Sequence, residues 1–214
     1  MNDVTIKDRY PLPNMCDCID KLSESKYYSQ IDMKSGYWTI KVHPDDVPKT
    51  AFVCHKGLFE FLVMPFGLCN AGQTYVRTMD KLLGDLPFVI TYVDDVIVHS
   101  KTLDEHYKHV NIVLNRIQHA DMLININKST FATQHIEFLG QIVSQTQVRM
   151  NPKKIASIQN LKPPRNIKEL RSFLGFCNAY SRFIPNLANK TTHLRKLLKA
   201  ETKYVWSNEC KSEY

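Results

Sequence analysis

The sequence predicts an α+β fold: an antiparallel sheet backed by helices, followed by a separate helical segment. Three observations carry this. Strand-like runs alternate with amphipathic helical stretches through the first 150 residues. Two pairs of those runs read as hairpins. After Met150 nearly everything reads as helix. The composition, 43% hydrophobic and 23% charged, is that of a folded soluble chain, and no apolar run approaches the roughly 20 residues of a membrane span.

The elements follow in order. The opening "YPLPN" is extended, because Pro11 and Pro13 forbid helix there. A short helix is expected from about Asn14 to Leu22. "YYSQIDM" reads as a strand with Tyr28, Gln30 and Asp32 on one face. Gly36 breaks it, and "YWTIKVHP" is expected to resume as strand until Pro44. "KTAFVCHKGLFEFLVM" predicts two strands around the turn His55-Lys56-Gly57. From Asn70, Ala71, Tyr75, Met79 and Leu82 recur at spacings of three and four, which predicts a helix ended by Gly84 and Pro87. "FVITYVDDVIVHS" (88–100) predicts a hairpin with Asp94 and Asp95 at its tip. Thr102 and Glu105 form a capping box for a helix with Leu103, Tyr107, Val110, Leu114 and Ile117 on one stripe. "IEFLGQIVS" reads as one more strand.

Asn151 and Pro152 signal a new helix start, and "PKKIASIQNL" is short. Pro163-Pro164 closes it, Asn166 and Glu169 open "IKELRSFLGFCNAYSRFI", and "LANKTTHLRKLLK" makes a further helix. A boundary is expected near residue 150. Charge supports it: residues 1–150 hold 15 Lys/Arg against 17 Asp/Glu, whereas residues 151–214 hold 13 against 4. Two readings of the basic segment stand, a polyanion-facing element or a solvated basic surface. The six cysteines have no zinc-like spacing, since "MCDC" is C-x-C, and read as ordinary thiols of a reducing compartment. The N-terminus has no apolar core of the signal-peptide kind, so no membrane partner is expected.

The adjacent acids pose the chemical question. Two carboxylates about 4 Å apart repel by roughly 4 kcal/mol at an effective dielectric near 20. No lysine or arginine lies within five residues of the pair. Turn chemistry explains such a pair if solvent screens it. A divalent cation explains it if Asp32, at the end of another β-prone run, joins the tip in one antiparallel sheet. Three carboxylates without nearby His or Cys suit two Mg²⁺ or Mn²⁺ ions, the arrangement used for in-line nucleotidyl transfer.

Five blocks extend the pattern. "YVDD" (92–95) resembles the catalytic box of reverse transcriptases. "QIDMKSGYWTIKVHPDDVPKTAF" (30–52), "FEFLVMPFGLCNAGQTY" (59–75), "FLGQIVS" (138–144) and "LRSFLGFCNAYSRFI" (170–184) resemble, in order, further blocks of the gypsy class of LTR retroelements. They cover nearly the whole chain. The resemblance implies a polymerase palm with partial fingers over residues 1–150. It implies a helical thumb or connection segment over residues 151–214, leading towards an RNase H region. It implies an RNA-directed DNA polymerase working with two Mg²⁺ or Mn²⁺ ions, an RNA or DNA template–primer and dNTPs, within a longer Pol polyprotein that also holds RNase H and integrase regions. Such an element works inside the cell, in a virus-like particle.

Position by position, the resemblance implies that Asp32, Asp94 and Asp95 are the metal-binding catalytic acids. Tyr37 is the aromatic that screens against a ribose 2′-hydroxyl; packing alone also accounts for it. Phe66 and Gly67 form the loop beneath the nucleotide, and Tyr92 lies near the primer end. Lys128 protonates the departing pyrophosphate, or is simply a solvated lysine. Phe138, Leu139 and Gly140 position the primer, unless they are only a buried strand. Lys153, Lys154, Arg171, Arg182 and Lys190 contact the nucleic-acid backbone without reading sequence.

The chain departs from the family pattern at three places. A fingers segment carrying basic side chains for the triphosphate is expected before "VTIKDRYPLP", where the transition state needs an electrostatic clamp. The usual "NAPATF" reads Asn70-Ala71-Gly72-Gln73-Thr74-Tyr75 here, so Gly72 is expected to loosen the helix start. The usual Lys-Cys is Lys128-Ser129. An active enzyme is the leading reading. A catalytically inactive nucleic-acid-binding remnant is the second, and a structural module that binds no nucleic acid the third.

Overall fold

The computed structural model describes residues 1–11, 13–159, 161–199 and 202–214, without the side chains of residues 158 and 159. The chain forms two units, Met1–Val148 and Arg149–Tyr214. The first contains α1 (Met15–Ser23), β1 (Tyr27–Asp32), β2 (Phe52–Cys54), β3 (Gly57–Phe59), α2 (Ala71–Leu83), β4 (Val89–Tyr92), β5 (Asp95–Ser100), α3 (Leu103–His119), β6 (Thr130–Thr133), β7 (His135–Phe138) and β8 (Gln141–Ser144). β9 (Val148–Met150) runs across the boundary.

The central sheet has the order β4-β5-β1-β6. β1 is antiparallel to β5 with Tyr28 opposite His99, Gln30 opposite Ile97 and Asp32 opposite Asp95. β4 and β5 form the expected hairpin, with Tyr92 opposite Asp95. Alternation divides the sheet into two covered faces. Ile31, Val96 and Val98 meet Tyr75, Met79 and Leu83 of α2 and Val113 and Ile117 of α3. Tyr28, Ile90 and Ile97 meet Cys18, Ile19 and Leu22 of α1 and Ile136, Phe138 and Val143 of β7 and β8. Each such fully buried aliphatic side chain contributes about 1.5–3 kcal/mol. Tyr28 also anchors α1 to the sheet, its hydroxyl donating to the carbonyl of Leu22 at 2.8 Å and to that of Ser25.

Caps define the helices where the sequence placed them. Asn14 Oδ1 accepts from the Cys16 amide at 2.9 Å, and α1 begins at Met15. Thr102 and Glu105 form the reciprocal capping box of α3, both bonds at 3.3 Å. The stripe on α3 differs from expectation. Its buried residues are His106, Val113 and Ile117, while Tyr107 is 58% exposed and Leu103 lies at the surface. His106 is buried because hydroxyls satisfy it: Ser29 Oγ lies 2.7 Å from Nε2, and Ser100 Oγ lies 2.9 Å from Nδ1.

Two β expectations are corrected. After Gly36 the chain makes a 3₁₀ turn, Gly36–Thr39, held by Thr39 Oγ1 donating to the Gly36 carbonyl at 2.6 Å. Only a bridge between Lys41 and Val63 remains β-like there. "IEFLGQIVS" is not one strand but the β7–β8 hairpin, turning at Leu139 and Gly140 with φ of 51° and 75°.

The second unit holds α4 (Pro152–Gln159), α5 (Ile167–Ala179), α6 (Leu187–Lys190), α7 (Thr192–Lys196) and α8 (Asn208–Glu213). Asn151 Oδ1 caps α4 at Lys153 (2.9 Å), and Asn166 Oδ1 caps α5 at Glu169 (2.9 Å). Of the stretch assigned to α4, Asn160 lies outside the described residues. α5 stops at Ala179, short of the expected residue 184, and gives way to a 3₁₀ turn, Ser181–Phe183. The lysine-rich helix is two pieces, α6 and α7, separated at Thr191. Leu170, Leu174, Leu194, Leu197 and Cys210 form this unit's core.

Candidate active site

Strand register brings the acids together. Asp32 ends β1, Asp94 occupies the tip of the β4–β5 hairpin, and both line one open cleft of about 580 Å³ with Tyr37, Phe66 and Lys128. Asp95 stands opposite Asp32 in the ladder, but its Oδ1 accepts from Gln30 Nε2 at 2.9 Å, and it does not line the cleft. Among the described residues no three His, Cys, Asp or Glu side chains form a metal-sized cluster.

The tip is unusual in its backbone. Val93, beside Asp94, has φ 52°. A left-handed conformation costs an L residue about 1–2 kcal/mol, so the surrounding ladder must impose it. Asp94 is held above the usual carboxylate range, first by loss of water around it and then by the charges of Asp95 and Asp32. Among the described residues neither Asp32 nor Asp94 has an ion-pair partner. The site therefore carries concentrated negative charge beside a cleft.

The floor and walls are built locally. Asn125 and Ser129 clasp the end of β1. The Asn125 amide donates to the Asp32 carbonyl at 2.8 Å, the Asp32 amide donates to Ser129 Oγ at 3.1 Å, and that hydroxyl donates to the Asn125 carbonyl at 2.8 Å. These bonds set Lys128 at the rim, and they give Ser129, in the place of the family's cysteine, a definite task. Phe66 is 67% exposed and lies 5.5 Å, ring to ring, from Tyr37 and 5.8 Å from Trp38. Tyr37 meets Tyr75 of α2 edge-on at 5.5 Å.

Tyr75 itself is fully buried, and its hydroxyl has no hydrogen-bond partner among the described residues. Leaving a hydroxyl so costs about 1–3 kcal/mol. Burial, then the charge of Asp94, raises its pKa, so it remains a neutral O–H. A Cβ on Gly36 would stand 2.6 Å from the Tyr75 ring. Only glycine lets that ring lie against the backbone there.

The loop carrying Phe66 and Gly67 is tied to the N-terminal segment. Asn2 Nδ2 donates to the Gly67 carbonyl at 2.7 Å, and Asn2 Oδ1 accepts from the Cys69 amide at 3.0 Å. Asn70 binds the same segment through the Asp8 amide (3.0 Å) and the Ile6 carbonyl (2.8 Å). Arg77 pairs with Asp8. α2 still begins at Ala71, so Gly72 has not shortened the helix start. Gly67 has φ 91°, which its lack of a side chain permits.

Of the remaining expected residues, Tyr92 meets Phe138 edge-on at 5.7 Å, joining the acid hairpin to the β7–β8 hairpin. Phe138 is buried at 1% exposure, whereas Leu139 and Gly140 of the turn are half-buried. Lys153, Lys154, Arg171, Arg182 and Lys190 are exposed on the second unit. Sequence reasoning missed Gln30, Asn125, Ser129 and the Tyr75 hydroxyl as parts of the site. The alternation of "YYSQIDM" placed Gln30 on the Asp32 face and so held the one usable signal.

Comparisons with known proteins identify the family. The family model described as reverse transcriptase (RNA-dependent DNA polymerase) matches residues 1–143. The chain is 38% identical over 201 residues to the retrovirus-related Pol polyprotein from transposon opus of Drosophila melanogaster, covering 92% of this chain and 20% of that protein. It is 36% identical over 200 residues to the Tf2-3 transposon polyprotein of Schizosaccharomyces pombe, covering 92% of this chain and 15% of that protein. The chain thus spans a fifth or less of these curated relatives. A foamy viral protease–reverse transcriptase in complex with double-stranded DNA superposes with a TM-score of 0.89 at 26% identity, over 99% of this chain and 38% of that one. The same viral enzyme with an RNA/DNA hybrid gives 0.81 at 25% identity, over 99% and 29%. No helix among the described residues is long and apolar enough to cross a membrane. With a family model over two thirds of its length, an antiparallel palm-like sheet and two aspartates facing one cleft, the chain belongs to the reverse transcriptase (RNA-dependent DNA polymerase) family, as a domain of the kind found in retrotransposon Pol polyproteins.

Proposed function

We propose that this domain extends a primer on an RNA or DNA template, joining the α-phosphate of a dNTP to the primer 3′-hydroxyl with release of pyrophosphate. The observation that carries the reading is the convergence of Asp32 and Asp94 on one cleft with Tyr37, Phe66 and Lys128. Asp32 and Asp94 supply hard oxygen ligands with no cationic partner. Mg²⁺ is commonly held by one or two carboxylates plus substrate phosphates, so two acids suffice on the protein side. When bound, a pair of Mg²⁺ or Mn²⁺ ions would lower the pKa of the attacking hydroxyl and offset charge on the leaving oxygen.

The chain's own residues do the remaining work. Asp32 and Asp94 fix where positive charge collects. Phe66 and Tyr37 present aromatic surface to base and sugar, and Tyr37 occupies the space a 2′-hydroxyl would need. Lys128 can give a proton to the departing pyrophosphate. Tyr92 and the Leu139-Gly140 turn support the primer end. The exposed Lys153, Lys154, Arg171, Arg182 and Lys190 contact phosphates and provide affinity without sequence preference. In a full-length polyprotein, RNase H and integrase regions would be its partners, inside the cell in a virus-like particle.

The test is primer extension on an RNA template with Mg²⁺ or Mn²⁺, beside Asp94→Asn. Loss of an outer-shell partner of a metal ligand costs about 10–100-fold, and loss of a ligand should cost at least about 100-fold. Equal extension by the variant would sink the assignment. A second reading, a nucleic-acid-binding domain without transfer activity, is favoured by Asp95, which bonds Gln30 and does not line the cleft. It expects salt-sensitive duplex binding with no extension by the wild type.

A further inference from the structure

Four side chains between α3 and the central sheet form one continuous chain of hydrogen bonds that the proposed chemistry does not use. The Ala132 amide donates to Ser29 Oγ at 3.1 Å, and that oxygen lies 2.7 Å from His106 Nε2. His106 Nδ1 lies 2.9 Å from Ser100 Oγ, which in turn lies 2.8 Å from His109 Nδ1. Ser29, His106 and Ser100 are buried, whereas His109 is half-buried, its ring stacked on Phe88 at 3.7 Å. Ala132 has φ 54° and sits where the pairing of β1 with the edge strand β6 slips, between Tyr28–Thr133 and Gln30–Thr130.

A backbone amide only donates, and this fixes the sense of the whole chain. Ser29 accepts from Ala132, so its own proton goes to Nε2. His106 then carries its proton on Nδ1 and donates to Ser100. Ser100 gives its proton to His109 Nδ1, which leaves the His109 proton on Nε2. Each buried hydroxyl thus both gives and receives a bond, as sealed polar groups require. The opposite sense leaves the Ser29 proton without an acceptor among the described residues.

We infer that Ser29, His106, Ser100 and His109 form a pH-sensitive latch, which holds β6 on β1 near neutral pH and loosens it in mild acid. A proton taken up at His109, the half-buried end, turns its Nδ1 into a donor. Ser100 must then accept there and direct its own proton to His106 Nδ1. His106 is left with its proton on Nε2, donated to Ser29, and the Ser29 proton is stranded beside the Ala132 amide. The net uptake is one proton. Protonating His106 itself strands the same hydroxyl, and burial, then the charge of His109, already lowers the His106 pKa. Among the described residues no carboxylate pairs with either ring. Glu105 is held by the Thr102 amide, and Lys108 is exposed. The other ionisable neighbours are Tyr27 of β1, His99 of β5 and, beside His99, Lys21 of α1; β6 carries none. β6 follows directly on Lys128 and Ser129, so loosening it frees the turn at the cleft rim, whether or not that cleft takes a nucleotide.

Two measurements on the full chain test this. Long-range nitrogen–proton NMR correlations at about pH 7.5 report each imidazole tautomer, and the expected result is Nδ1–H for His106 and Nε2–H for His109. Amide exchange of Ala132, corrected for its intrinsic rate, would be compared at about pH 7.5 and about pH 5.5 in wild type and His109→Gln. Protection of Ala132 should fall about tenfold in wild type, beyond any fall shared by Val98 in the buried strand β5, and by no more than that shared fall in the variant. Titration of His99 acts on the whole fold and would move both amides alike in both proteins. An Nε2–H tautomer of His106 near neutral pH overturns the inference. So does Ala132 protection that is independent of pH, that falls only as Val98 does, or that falls equally in His109→Gln.

Discussion

His99 should make the fold sensitive to mild acid. It lies on β5, its Nδ1 2.9 Å from Ser25 Oγ and its Nε2 buried with no partner among the described residues. Burial, reinforced by His109, Lys21 and His106, lowers its pKa from 6.5 to about 4. The folded chain thus binds fewer protons at His99 than the unfolded chain between those values. Stability from this residue is complete above the unfolded value of 6.5 and is lost as pH falls towards 4. The whole difference corresponds to about 3 kcal/mol, of which about 2 kcal/mol is gone by about pH 5. Urea midpoints of wild type and His99→Gln near pH 7.5 and near pH 5 would show it. Glutamine keeps a polar group beside Ser25 but does not titrate, so wild type should lose about 2 kcal/mol more than the variant across that range. A gap between the two proteins that stays constant with pH would refute the reasoning.

Other perturbations have equally definite outcomes. Gly36→Ala drives a methyl group to 2.6 Å from the buried Tyr75 ring, and overpacking of this kind costs about 1–3 kcal/mol in a urea melt. Val93→Gly removes the left-handed strain of a β-branched residue but frees more unfolded conformations, so stability should change by less than about 1 kcal/mol. Primer extension should nevertheless fall, because Asp94 loses its fixed backbone. Thr102→Ala deletes one half of the capping box and should cost about 1 kcal/mol, with faster amide exchange confined to the first turn of α3.

The acid hairpin was legible because two signals coincide in it: alternation on both strands and charged residues where solvent is reached. Asp32 was legible for the same reason. The 3₁₀ turn after Gly36 was not, because Tyr37, Trp38 and Ile40 have strand propensity. Its cause is a left-handed Ser35 (φ 53°) together with the Thr39 hydroxyl, neither of which has a strong local signature. The β7–β8 turn was hidden because Leu139, in the left-handed region, takes the place usually held by asparagine or aspartate. On α3, His106 counted as polar in the periodicity, although Ser29 from a distant strand and Ser100 just before the helix let it enter the core. Gln30 and Ser129 act through partners 65 and 97 residues away, and no window of sequence contains such a pair.

The double-sided burial of β1 and β5 has a consequence for how the acids are held. Left to themselves, like charges on neighbouring strands would separate, and a ladder can relieve such repulsion by slipping one residue. Here a slip would turn Ile31, Val96, Ile97 and Val98 towards the wrong layers, at about 1.5–3 kcal/mol each, against a repulsion of roughly 4 kcal/mol. Hydrocarbon packing several residues away therefore acts as the vice that keeps the electrostatic tension at the tip from discharging into the backbone. Neutralising the acids should leave the architecture untouched, and any cation that arrives meets a cradle already set.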